Sequence, residues 1–86
     1  MSNMTHQAIS ALLSGFEEEA SSRLGACELV TMDCEQITAP LTTDWSVQVD
    51  CSKASSHICF LKGEINENGQ TVFTGNAIFR AISASK

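Results

Sequence analysis

Residues 57–82, HICFLKGEINENGQTVFTGNAIFRAI, decide how this chain folds. At the centre of the stretch stands Asn66-Glu67-Asn68-Gly69. Asn and Gly accept the positive φ angles of a tight hairpin turn, and strand-like sequence flanks the turn on both sides. His57–Ile65 reads as one strand, with Cys59, Leu61 and Ile65 on one face and Ile58 and Phe60 on the other. Thr71–Ile82 reads as its partner, apolar on both faces through Val72, Phe73, Ile78, Phe79 and Ile82. Such a strand needs cover twice; one cover is the helix, and the other could be a second subunit.

Working back from the hairpin, Trp45–Cys51 alternates cleanly. Trp45, Val47, Val49 and Cys51 point one way, and Ser46, Gln48 and Asp50 the other. Glu28–Ile37 is rich in β-formers and is closed by Pro40. Ahead of Gly25 the period changes. From about Thr5, a candidate N-cap, to Leu24 the apolar residues recur with helical spacing, and Ile9, Leu13, Phe16, Ala20 and Leu24 form one stripe with Leu12 beside it. Gly15 interrupts this helix at a cost of about 1 kcal/mol unless a close approach requires it. Gly25 is placed to end it in a left-handed conformation. The sequence therefore predicts an α+β domain: one N-terminal helix packed on an antiparallel sheet of about four strands, with residues 1–86 forming a single domain.

Composition bounds the function. The chain has 86 residues, 43% of them hydrophobic and 17% charged, which is globular rather than disordered. Its net charge of -5 argues against a nucleic-acid partner, which requires a cationic surface, and against a basic membrane-surface helix. Neither a membrane span nor a basic, apolar leader is read in the sequence, so the expected location is cytoplasmic. Cys27, Cys34, Cys51 and Cys59 form no Cys-x-x-Cys pair, and the expectation is four reduced thiols with no metal and no cofactor. A domain of this length buries only about 60–65% of its unfolded surface, which favours self-association.

Three stretches resemble one family. Leu29-Val30-Thr31-Met32-Asp33, running on to Ala39-Pro40, is similar to its strand after the helix. Gly63–Val72 is similar to its hairpin, and Thr74-Gly75-Asn76-Ala77-Ile78-Phe79-Arg80 to its last strand. With the helix, they resemble a hotdog-fold domain, specifically a phenylacetyl-CoA-type acyl-CoA thioesterase shortened at the N-terminus. The resemblance implies a sheet wrapped around the helix, homodimerisation with sheets joined edge to edge, and acyl-CoA as ligand.

The departures concern catalysis. The family's helix opens on a His-Gly-Gly-like turn and carries a carboxylate about two turns later. Here His6-Gln7-Ala8 stands at the turn, and the carboxylate position falls on Gly15. Thioester hydrolysis needs a base or nucleophile at the carbonyl and N–H groups for the oxyanion. The resemblance thus implies substrate contacts at His6, Gln7, Ala8 and Gly15, with Glu17 and Glu19 as stand-ins for the missing carboxylate. Glu18 is expected to face solvent, opposite Ile9. Two readings follow: a thioesterase-like domain weakly active on acyl-CoA or merely binding acyl thioesters, or a non-enzymatic structural or protein-interaction module that self-associates.

The remaining candidates have plainer explanations. A solvated helix face accounts for Glu17-Glu18-Glu19. His57 follows Ser55-Ser56 without a third orienting group. Asp33, Asp44 and Asp50 lack metal-loop spacing. Cys34 and Cys59 sit in strand patterns where packing is the usual role. Trp45 reads as an anchor for the sheet or an interface. Only Arg23, Lys53, Lys62, Arg80 and Lys86 are available to meet the phosphates of coenzyme A.

Overall fold

The structure, a computed structural model, describes residues 3–38 and 45–82, with backbone alone for residues 3–5. Ala39-Pro40, Asp44 and Lys86 lie outside the described residues, and because the helix begins at Asn3, Thr5 stands within it rather than at the N-cap expected from sequence. Helix α1 (Asn3–Leu24) is followed by strands β1 (Cys27–Gln36), β2 (Ser46–Ala54), β3 (Ile58–Glu67) and β4 (Gln70–Ala81). The strands form one antiparallel sheet in the order β1-β4-β3-β2, and α1 lies across one face. This is the hotdog-like α+β arrangement the sequence predicts.

Local chemistry sets the element ends. Gly25, at φ 74°, donates its N–H to the Ser21 carbonyl at 2.9 Å and closes α1 in the left-handed conformation. Asn68 and Gly69, at φ 53° and 82°, make the two-residue hairpin between β3 and β4. Three register shifts accommodate the sheet's curvature, at Val30, Ser52 and Val72. The last of these explains why β4 reads as apolar on both faces. Val72 is an extra residue, so Val72 and Phe73 are both buried, although they are neighbours in sequence. The Val72 carbonyl then accepts N–H groups from Ile37 and Thr38, carrying β1 past its end. Beyond a patch of Ile58, Phe60 and Ile78, the face of the β3–β4 pair away from the helix is polar, with Lys62, Glu64, Thr74 and Asn76. A second subunit covering that whole face is therefore not required by β4.

The core lies between α1 and the sheet. Ala8, Leu12, Phe16 and Ala20 meet Cys59, Leu61, Ile65, Val72, Phe73, Ala77 and Phe79, all buried. Two glycines make this contact possible. Gly63 and Gly75 face one another across β3 and β4, and the helix seats on them. A methyl at Gly63 would stand 2.8 Å from Leu12 Cδ1, and one at Gly75 2.7 Å from Leu12 Cδ2.

The helix is rotated relative to the stripe expected from sequence. The buried line runs through Ala8 and Leu12, not Ile9 and Leu13, a turn of about 60°. Ile9 is 37% exposed and Leu13 only partly buried. The reason is the sheet's centre. The two glycines leave a hollow that accepts Leu12, while Gly15 lets the opposite flank of α1 lie against β2. A methyl at Gly15 would be 3.1 Å from Val49 Cγ2 and 3.4 Å from Val47 Cγ1. No helix among the described residues is long and apolar enough to cross a membrane.

Candidate functional site

The rotation of α1 creates two grooves, one on each flank. Along the β2 flank, small residues Ala11, Ser14, Gly15 and Ser22 leave an open groove of about 630 Å³ above Val47 and Val49, with Glu18 and Glu19 on its rim. Along the β1 flank, Glu17 and Ser21 face Cys27, Glu28, Leu29 and Phe79 across a groove of about 320 Å³. Ridges four residues apart on the helix explain the division: Ile9, Leu13, Glu17 and Ser21 run down one side, and Ala11, Gly15 and Glu19 down the other.

The proposed site residues therefore separate. Gly15 and Glu19 share the β2 groove. Glu17 lies on the other flank. Glu18, expected in solvent opposite Ile9, is exposed but lines the groove with Gly15. The difference arises because the sequence stripe centres on a different ridge from the one that seats. The Glu19 carboxylate is engaged: its Oε2 accepts from Arg23 Nε at 2.7 Å, with both side chains partly exposed. This hydrogen bond lifts the Arg23 guanidinium above its ordinary value, so it remains charged.

At the other end of the helix, His6 and Gln7 are exposed and Ala8 is fully buried. Because α1 begins at Asn3, the free N–H groups of its first turn belong to residues before His6. Gln7 and Ala8 fall past that turn, and their N–H groups are committed to the helix. Gly15 is explained first by close packing on β2.

Other candidates are accounted for locally. The Ser55 hydroxyl accepts N–H groups from His57 and Ile58, and Ser56 Oγ lies 3.0 Å from His57 Nδ1, a turn motif on the surface. Among the described residues no group of His, Cys, Asp or Glu is arranged to hold a metal. All four cysteines are free. Burial pushes the Cys59 thiol up, and burial with the Asp33 charge does the same for Cys34. Trp45 packs partly buried against the core, and its indole N–H finds no acceptor among the described residues.

No protein-family model and no curated protein sequence matches the chain. Its fold does match solved structures. A thioesterase from Thermus thermophilus, crystallised with coenzyme A and Zn, superposes with a TM-score of 0.70 at 15% identity, over 87% of this chain and 65% of that one. A hypothetical protein from Aquifex aeolicus gives 0.62 at 14% identity, over 94% and 78%. The chain thus spans less than two thirds of the thioesterase's length. With its helix laid across a four-stranded antiparallel sheet, this chain has a hotdog-like α+β fold, shared with these two structures.

Proposed function

We propose that the domain binds acyl thioesters in the groove between α1 and β2 and hydrolyses them slowly or not at all. The observation that carries this reading is the open groove at Gly15, between helix and edge strand, in a thioesterase-like fold. Val47, Val49 and Ala11 supply apolar wall for an acyl chain. Among the described residues Glu18 and Glu19 supply the carboxylates on that groove, and Glu19 is held by Arg23. Among the described residues no Lys or Arg lines the groove, so none of them offers the nucleotide end of coenzyme A a phosphate partner within it.

The unpaired edge of β2 supports self-association. β2 carries one acid, Asp50, and one base, Lys53. Antiparallel pairing about a two-fold axis that sets Asp50 against Lys53 of a second copy matches opposite charges twice. Such a dimer, with four free thiols, accords with a cytoplasmic protein.

Titration with a non-hydrolysable S-alkyl pantetheine and with the corresponding S-alkyl coenzyme A, followed by amide shifts of Ala11, Gly15 and Val47, tests the reading. Saturable shifts in these residues, lost in Val47→Trp, are expected. Absence of shifts with both compounds at millimolar concentration would favour the second reading, a self-associating interaction module. The closeness of Gly15 to Val47 and Val49, which already fills the helix–strand contact, is the observation on that side.

A further inference from the structure

We infer that the free edge of β1 is a docking edge for an extended peptide with alternating apolar and basic residues. Two apolar side chains of α1, Ile9 and Leu13, lie off the buried line that meets the middle of the sheet. Ile9 and Leu13 share the ridge of Glu17, on the β1 flank, and Ile9 is 37% exposed. The helix thus overhangs a place beside β1 that holds no strand among the described residues. An added strand there would complete the cover of Ile9 and Leu13, as well as the backbone pairing of β1.

The two faces of β1 specify the ligand. The helix-side residues of its second half are Met32, Cys34 and Gln36, paired across from Ala77, Gly75 and Phe73. The outer-side residues are Thr31, Asp33 and Glu35, all exposed. Glu28 is already engaged by Arg80 at 2.7 Å, whereas Asp33 and Glu35 have no ion-pair partner among the described residues. A strand laid against Thr31–Gln36 therefore meets Met32 and Cys34 on its inner side and acids on its outer side. Lys or Arg at alternate positions answers Asp33 and Glu35, and Val, Ile or Leu at the others lies on the helix side beside Met32 and Cys34.

The same charges exclude β1 of a second copy. Cys27–Gln36 contains three acids and no base, so antiparallel self-pairing sets like charges against each other. The extra residue at Val30 bends the first half of the strand and confines docking to about six residues after it. Peptide docking here does not depend on acyl binding, which concerns the opposite flank.

The test uses two fluorescein-labelled heptapeptides, Val alternating with Lys and Val alternating with Glu, in anisotropy titrations at low salt. The lysine peptide is expected to bind and to slow hydrogen exchange at alternate amides within Thr31–Gln36. The glutamate peptide is expected not to bind. In Asp33→Lys with Glu35→Lys the preference should invert by about tenfold or more, and in Asp33→Asn with Glu35→Gln it should weaken without inverting. Three results would overturn the inference: no binding of the lysine peptide, binding indifferent to these substitutions, or exchange protection on Ser46–Ala54 instead. Concentration-dependent protection of β1 in the protein alone would also overturn it, because a second copy would then hold the edge.

Discussion

Replacing Gly75 by Ala puts the seat of the helix to a direct test. The new methyl would lie 2.7 Å from Leu12 Cδ2 and 2.9 Å from the Asp33 carbonyl oxygen. Leu12 can shift its rotamer, but the carbonyl belongs to the backbone of β1 and can move only with the strand. At Gly63 the obstacles are Leu12 Cδ1 at 2.8 Å and the Phe16 ring at 2.9 and 3.0 Å, all side-chain atoms. Overpacking of a filled core costs about 1–3 kcal/mol, and relief of glycine's entropy returns about 0.5–1 kcal/mol. Gly75→Ala is therefore expected near the upper part of a net cost of about 1–2 kcal/mol, with Gly63→Ala below it. For a domain of this size each kcal/mol lowers Tm by about 4–8 °C. Urea unfolding followed by Trp45 fluorescence at fixed protein concentration measures both. The order matters more than the values. Measured against Leu12→Val alone, shortening Leu12 should offset more of the loss in Gly63→Ala, where the Phe16 ring that remains can move, than in Gly75→Ala, where the remaining obstacle is the backbone carbonyl. If Gly75→Ala is as stable as the parent, or if Leu12→Val rescues both alike, the helix does not rest on this glycine pair.

Three further outcomes are expected. Leu12→Ala should cost about 2–5 kcal/mol, because Leu12 is fully buried, while the partly buried Leu13 should cost visibly less on truncation; equal losses in denaturant unfolding would mean the helix is turned as the sequence stripe suggested. In a thiol-release assay over a range of acyl-CoA chain lengths, the parent should run at or near background and Gly15→Asp above it; strong parent turnover that persists in Glu17→Gln and Glu19→Gln would contradict the proposed function. The raised thiols of Cys34 and Cys59 stay protonated in the fold after the unfolded chain has begun to ionise, so their contribution is complete below the ordinary value of 9.0 and declines as pH rises through it. Stability should thus fall on the alkaline side in the parent and fall less in Cys59→Ala, measured by urea midpoints between about pH 7 and 10.

The hairpin and the strands announce themselves because their signals are local. Asn68-Gly69 names its own turn, and alternation in β2 and β3 assigns each face correctly. The bulge at Val72 is hidden, since an extra residue in a strand leaves the sequence looking merely apolar on both faces. The rotation of α1 is hidden for a different reason. Periodicity centres the stripe between Ile9 and Leu24, but a helix seats where its partner surface is hollow, and the hollow is made by Gly63 and Gly75, far from the helix in sequence. A glycine opposite a glycine carries no hydrophobic signal. For the same reason periodicity treats Glu17 and Glu19 as equivalent, although one belongs to each flank, while Glu18 is exposed as expected. Gly15 stands out in the sequence as a residue needing a close approach, and Val47 and Val49 supply it.

The strand order has a consequence for how the chain is made. β4 is last in sequence yet sits between β1 and β3, and Cys27 at one end of β1 pairs with Ala81. β1 therefore leaves the ribosome before its one partner among the described strands, β4, is made, and waits several seconds at about 5–20 residues per second. The β2–β3 and β3–β4 pairs close over short loops and have a head start in loop entropy. Throughout that interval β1 is an extended, β-prone segment with both edges open. Its Glu28, Asp33 and Glu35 then act as guards against pairing with β1 of a neighbouring nascent chain, and Glu28 changes employment only when Arg80 arrives on the final strand.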